Sequence, residues 1–377
     1  MGLLESIFNN DEPKMFQTYD DISLMSEEIS DIESRSSADL DPSIEAFGAK
    51  FTIPLVASPM PDVCDGSMAR ALATVGLMAL IHRFQTVDEQ VTQYQHATLG
   101  LTQDQVARIG CAVGISGDYE ERFLRLQAEG CSIFCIDTAN GANTRVGKAI
   151  QRLRELQTKQ TYIIAGNVFS RAGFEYLTEE GVDGIRVGIA GGSACTTKTE
   201  TGMYVPMATC IEFLVEARMR IAEKRMPIKA EDAKTDEAKE QYQATVQQLT
   251  KDLPLIIADG GIRTPADMCK ALVLGADMVM GGSIFAGTLE SPGEVTTDPV
   301  DSGKRFKTYR GAASFSVQLQ HTGKPPKYNE GTGRSIPITG TVAELLQRYE
   351  GGLRSSMSYA NAHDLEEYQL NVLVIDL

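Results

Sequence analysis

From about residue 50 to residue 290, short apolar runs alternate with longer amphipathic stretches. The runs are Phe51–Ala57, Leu77–His82, Ile109–Gly114, Ile133–Ile136, Tyr162–Ala165, Gly184–Gly188, Leu255–Ala258 and Met278–Met280. Each is apolar on both faces, the pattern of strands in a parallel sheet that is covered on both sides. Helical periodicity fills the gaps over residues 69–73, 120–129, 146–156 and 265–274. Eight such β/α units in roughly 240 residues predict an α/β fold of the (β/α)8 TIM barrel type. A doubly wound open sheet is the competing architecture, and the strand count favours the barrel.

Two segments break the rhythm. Residues 222–252 are dense in charge and predict a solvated helical insertion ahead of the seventh strand. Residues 311–340, rich in Gly, Ser, Thr and Pro, predict a mobile loop long enough to serve as an active-site flap. The first 48 residues, acidic and serine-rich, are expected to wrap the outside of the barrel. The whole chain, 1–377, then reads as one barrel domain.

Composition narrows the function classes. Hydrophobic residues make up 42% of the 377, enough for a sizeable core. A net charge of −16 argues against nucleic acid and anionic membranes as partners, since both need a basic surface. It also means that a phosphorylated substrate must be held by local donors. No run approaches the ~18 apolar residues of a membrane span, and the first residues lack the basic, then apolar, pattern of a secretory signal. Seven cysteines, sparse and mostly in apolar contexts, fit a reducing cytoplasm. Cys131 and Cys135 lack zinc-finger spacing, and with four histidines in the chain a structural zinc site is not expected.

The chemistry gathers at the strand ends. Ser58-Pro59-Met60, His82-Arg83, Asp137-Thr138-Ala139, Gly166-Asn167, the loop Gly188 to Cys195, Asp259-Gly260-Gly261 and Gly281-Gly282-Ser283 each follow a run. In a barrel all of them converge on the C-terminal face, where active sites lie. The glycine pairs after strands seven and eight suit phosphate, bound through backbone N–H groups. Asp259 would repel phosphate and suits sugar hydroxyls instead. Cys195 is the candidate nucleophile, because glycines and hydroxyls surround it rather than an apolar run. The other six cysteines read as small buried hydrophobes.

Several of these segments resemble the IMP dehydrogenase / GMP reductase family. They are Gly192-Ser193-Ala194-Cys195-Thr196-Thr197, Ile257-Ala258-Asp259-Gly260-Gly261-Ile262-Arg263, Glu290 to Glu294, Tyr309-Arg310-Gly311, Glu330-Gly331 and Gly351 to Ser355. The resemblance runs from Tyr19 to about Tyr359. It implies a (β/α)8 barrel, usually a homotetramer, acting on a purine mononucleotide. It implies that Cys195 attacks C2 of the purine, with Thr197 and Glu330 handling protons. Ser58, Met60, Arg186, Ser193, Asp259, Gly261, Gly282, Ser283, Tyr309 and Gly311 would hold the nucleotide. Asp137, Thr138, Ala139, Asn167 and Arg83 would face a nicotinamide cofactor. Carbonyls of Ala190, Gly192 and Cys195 resemble a monovalent-cation loop, implying potassium. Ala190 stands there in place of the usual glycine, and Gly191 in place of a proline.

The family contains two reactions. A dehydrogenase needs a base for water, carried with an Arg-Tyr pair on a long flap. Here Gly311 to Glu330 is short and holds no such pair, Lys327-Tyr328 being nearest. Residues 84–108 are also too few for the tandem regulatory domain that many dehydrogenases insert. Ser34-Arg35-Ser36, Asp137 to Gly141 and Ala165 to Val168 resemble reductases. Ala57 to Met60, Ile81-His82-Arg83 and Tyr309 to Gly311 resemble dehydrogenases. The expectation is a GMP reductase using NADPH. An NAD-dependent IMP dehydrogenase and a catalytically silent nucleotide-binding homologue are the alternatives.

Overall fold

The computed structural model describes residues 16–227, 235–298, 301 and 303–377. Eight parallel strands close into a barrel. They are β1 (Leu55–Ala57), β2 (Met78–Ile81), β3 (Ile109–Val113), β4 (Ile133–Asp137), β5 (Tyr162–Val168), β6 (Gly184–Val187), β7 (Leu255–Asp259) and β8 (Met278–Gly281). Each pairs in parallel with its neighbours, and β8 closes on β1 through Val279–Leu55 and Gly281–Ala57. Each of the eight apolar runs therefore contains a barrel strand.

Two packed layers explain why the runs are apolar on both faces. Val56, Met78, Leu80, Ala112, Ile133, Ile164, Ile257 and Met280 fill the barrel interior. Leu55, Ala79, Cys111, Phe134, Ile163, Ile185 and Val279 face outward, into a second core shared with the helices. At roughly 25 cal/mol per Å² of apolar surface removed from water, these two layers are the main stabilising term.

The first run divides differently from its apolar pattern. Phe51 ends a small antiparallel hairpin, Ile44–Ala46 with Ala49–Phe51, and the barrel strand begins only at Leu55. Pro54 separates them, because it has no N–H to give a ladder. Phe47 and Phe51 pack with the interior side chains and plug that end of the barrel.

The helices begin where their caps dictate. Pro265–Val273 opens on a capping box, with Thr264 and Asp267 bonding each other's backbone N–H and proline in the first turn. Gly66–Thr74, Tyr119–Ala128 and Thr144–Leu156 account for the other expected helices.

Ahead of β7, helices Met207–Lys224 and Asp236–Lys251 lie together around Ala222, Val246 and Leu253. The charged insertion is helical over its second half, and its stretch 228–234 lies outside the described residues. Of the N-terminal wrap, residues 1–15 lie outside them too. The remainder runs along the barrel. Strand Ile22–Met25 pairs antiparallel with the C-terminal strand Leu373–Asp376, and Arg354 donates to the carbonyls of Arg35, Ser37 and Leu40.

Residues 311–340 are not one irregular loop. They hold helix Phe315–Thr322 and strand Gly333–Pro337, the latter paired with Arg305–Arg310 in a three-stranded sheet. The glycine and proline content hid this order, because it comes from pairing with a distant strand and not from local propensity.

Candidate active site

The C-terminal mouth of the barrel opens into a cleft of about 460 Å³, within the usual size of small-molecule sites. Ser58, Met60, Arg83, Asp137, Thr138, Ala139, Asn167, Arg186, Ala190, Gly192, Cys195, Thr197, Asp259, Tyr309, Gly311 and Glu330 all line it. The residues singled out in the sequence thus meet from β1, β2, β4, β5, β6, β7 and the flap.

Cys195 ends the loop that leaves β6. It is half-buried, whereas the other six cysteines are buried, and all seven are free. Its Sγ donates to Thr197 Oγ1 at 3.2 Å, and Thr197 Oγ1 donates to Glu330 Oε2 at 2.7 Å. A thiol, a hydroxyl and a carboxylate 133 residues away in sequence therefore form one chain of donors and acceptors.

Backbone pairing brings Glu330 there. Thr196 N–H donates to the Glu330 carbonyl at 2.9 Å and Thr332 N–H to the Ala194 carbonyl at 3.0 Å. Gly311 permits this approach: a Cβ on it would fall 2.6 Å from the Ala194 carbonyl oxygen. The flap is anchored from below by Arg310, which grips the buried Asp62 carboxylate through its backbone N–H, Nε and Nη2 at 2.8, 2.8 and 2.5 Å.

Opposite the thiol lies a buried charge cluster. Arg186 on β6 donates to Asp137 at 2.7 Å and to Asp259 at 2.8 and 3.1 Å. Burial works against its charge, yet Asp259, Cys135 and Asp137 together hold its pKa well above the usual guanidinium value. Burial likewise pushes the Asp137 carboxyl up, but Arg186 and Arg83 outweigh it and keep it below the ordinary carboxylate range. Asn167 ties the cluster to the cysteine loop, donating to Asp259 at 2.9 Å and to the Gly188 carbonyl at 2.8 Å. Arg186 is thus engaged between two carboxylates while it lines the cleft. Arg83 reaches Asp137 at 3.3 Å and lies over the Phe84 ring at 4.6 Å. Thr138 Oγ1 donates to the Gly166 carbonyl at 2.7 Å, which fixes the ledge Asp137–Ala139.

Ser193, Gly261, Gly282 and Ser283 stand beside the cleft and are not among its lining residues. A Cβ on Gly282 would meet the Tyr309 hydroxyl at 2.5 Å, so glycine makes room for that ring. Tyr309 also hydrogen-bonds Ser193, and burial with nearby Asp259 pushes its phenol up to about 12. Gly260 and Gly261 take φ of +120° and +78°, which side chains rarely adopt. The glycine pair after β7 is therefore demanded by backbone geometry, whatever it binds. Ala190 adopts φ +61° without being a glycine, and the Gly192 carbonyl accepts the Cys195 N–H at 3.0 Å.

Sequence reading missed Phe84, Gln318, His321 and Thr322, which also line the cleft. Three of them lie on the flap helix, and an eight-residue helix between glycine-rich stretches gives little periodic signal. His321 meets Phe84 edge-on at 5.5 Å. A second cavity of about 330 Å³ shares Arg83, Asp137, Thr138, Ala139 and His321 with the cleft and adds Ser116 and Arg122.

Fold and site together define a (β/α)8 barrel whose C-terminal cleft holds a free, half-buried thiol on the loop after its sixth strand. Comparison with known proteins makes this specific. The family model described as "IMP dehydrogenase / GMP reductase domain" matches residues 16–233 and 239–376, and the chain belongs to that family. It is 30% identical to a GMP reductase of Klebsiella pneumoniae over 90% of this chain and 88% of that one. It is 32% identical to a GMP reductase of Streptococcus agalactiae over 92% and 91%. It is 33% identical to an inosine-5′-monophosphate dehydrogenase of Nitrosopumilus maritimus over 71% of this chain and 52% of that one. The chain thus spans about half the length of the first dehydrogenases it matches. Both named activities are oxidoreductases of purine mononucleotides.

Proposed function

We propose that this protein is a GMP reductase, converting GMP and NADPH to IMP, ammonia and NADP. The observation that carries the reading is the donor chain from Cys195 through Thr197 to Glu330. It gives the thiol proton a path to the carboxylate and leaves a thiolate facing the cleft. The thiolate adds to C2 of the purine, the C2–N bond breaks, and Glu330 returns its proton through Thr197 so that the amine leaves as ammonia. The Cys195–C2 bond then breaks as hydride reaches C2, giving IMP and a thiolate, and a proton from water restores the thiol.

A nicotinamide cofactor fits this site, since the cleft continues past the Asp137–Ala139 ledge into the second cavity. The cofactor supplies the hydride. Asp137, Thr138, Ala139 and Asn167 would hold its reacting end, and Arg83 would offer positive charge to its phosphates, while His321, whose pKa burial and nearby Arg83 push down, would offer a neutral ring N–H. Ser58, Met60, Ser193, Asp259, Tyr309 and the loops at Gly261, Gly282 and Ser283 would hold the nucleotide. Arg186 contributes by holding the Asp137 and Asp259 carboxylates in place. We further propose a potassium ion at the carbonyls of Ala190, Gly192 and Cys195, a homotetramer, a single-domain chain, and a reducing cytoplasm in keeping with seven free thiols.

The flap supports the reductase over the dehydrogenase. Among the described residues, no arginine or lysine of the flap lines the cleft, and Lys327 is exposed outside it. A base of the kind a water-activating flap carries is therefore not in view of the thiol. Parallel incubations with GMP plus NADPH and with IMP plus NAD, followed by chromatography of the products, test this. IMP and ammonia from the first are expected. XMP from the second, with no reaction in the first, overturns the reading in favour of the dehydrogenase. Tight nucleotide binding with no turnover in either overturns it in favour of a silent homologue.

A further inference from the structure

We infer that Tyr328, with Glu200 as its partner, is a positioning residue that latches the flap over the thiol. The inference rests on the reading of Glu330 as the proton-handling carboxylate. Glu330 is fixed by the backbone bonds between Thr196 and Glu330 and between Ala194 and Thr332, and its own N–H donates to the Ala313 carbonyl at 3.3 Å. On its N-terminal side lies the exposed stretch Gly323 to Asn329. Among the described residues, the hydrogen bonds of that stretch reach the rest of the protein through the Tyr328 hydroxyl. It donates to Glu200 Oε2 at 3.1 Å and lies 3.3 Å from the Glu200 carbonyl.

Glu200 belongs to the short helix Thr197–Thr201, whose first residue is the middle member of the donor chain. The latch therefore joins the two ends of the Thr197–Glu330 contact by a second route. One route runs two residues along the flap from Glu330 to Tyr328, and the other three residues along the helix from Thr197 to Glu200. With both closed, the stretch that enters Glu330 is held against the helix that carries Thr197, and opening the latch leaves the backbone bonds around Glu330 to hold the flap alone. The contact to Glu200 is also what chiefly raises the Tyr328 phenol above its ordinary pKa, so the hydroxyl stays a donor at neutral pH.

Variants Y328F, E200A and the double variant test the latch, with E200Q as the conservative control because its amide oxygen still accepts. A hydrogen bond of this kind changes an equilibrium roughly three- to tenfold when lost. Y328F and E200A are each expected to lower kcat by about that factor, with KM for GMP moved by less than about twofold. Iodoacetamide should modify Cys195 faster by a similar factor, since a lifted flap exposes the one cysteine that is not buried. The double variant should fall no further than the worse single one, and E200Q should stay near wild type. Unchanged kcat and alkylation in both single variants, or effects that multiply in the double one, overturn the latch. E330Q separates the two layers of the argument: full turnover in E330Q sinks the assignment of Glu330, whereas an inactive E330Q beside an unaffected Y328F sinks the latch alone.

Discussion

Individual residues carry the chemistry and some of the strain. Cys195, Thr197 and Glu330 act as one chain, so their removal should be strongly non-additive. C195A is expected to abolish turnover. T197V and E330Q should each cost at least about a hundredfold in kcat, the usual scale for a positioned proton-transfer group, and the double variant little more. Steady-state kinetics on the three variants checks this, and effects that multiply would contradict it. Ala190 tells a different story. Held at φ +61°, it is strained where glycine would not be, and A190G is expected to raise stability by about 1 kcal/mol in urea or thermal unfolding. A loss of stability would mean that the alanine methyl has a packing role.

At the level of elements, two of the devices that hold the flap can each be loosened separately. The Arg310–Asp62 pair fastens its sheet to the loop after β1, and D62N leaves Arg310 gripping a neutral side chain. Removing one partner of a pair this buried costs on the order of 3 kcal/mol. The barrel should survive, while KM for the nucleotide rises and kcat falls. G311A acts at the other device by placing a Cβ against the Ala194 carbonyl. It is expected to lower kcat by at least about tenfold with little change in the unfolding midpoint of the barrel. These devices also show what the sequence could and could not tell. The eight strands were legible because burial on both faces leaves unbroken apolar runs. The strand-end residues were legible because closing the barrel forces them together. The flap's order was not, since Gly333–Pro337 becomes a strand only by pairing with Arg305–Arg310. The ties of Arg186 to Asp137 and Asp259 were equally hidden, because nothing local marks partners 49 and 73 residues away.

The stability of the whole molecule depends on pH through a buried histidine. His82, buried at the end of β2, has its pKa pushed down by burial to about 4, against an ordinary value near 6.5. Asp62 and Glu89 pull it up, while Arg122 and His321 push it further down. A histidine depressed in the folded state takes up protons more readily when unfolded, so stability rises with pH between these two values. The protein should therefore lose a few kcal/mol as pH falls from about 6.5 to about 4, and H82Q should flatten that part of the profile. A profile unchanged by H82Q would contradict this. The central claim concerns where hydride goes, and one measurement addresses it directly. The protein is incubated with GMP and NADPH deuterated at C4 of the nicotinamide, on the transferring face, and the product nucleotide is examined by mass spectrometry. The account predicts IMP carrying one deuterium at C2, ammonia released in equal amount, and neither product from C195A. Unlabelled product, or XMP formed only when IMP and NAD are supplied, would contradict it.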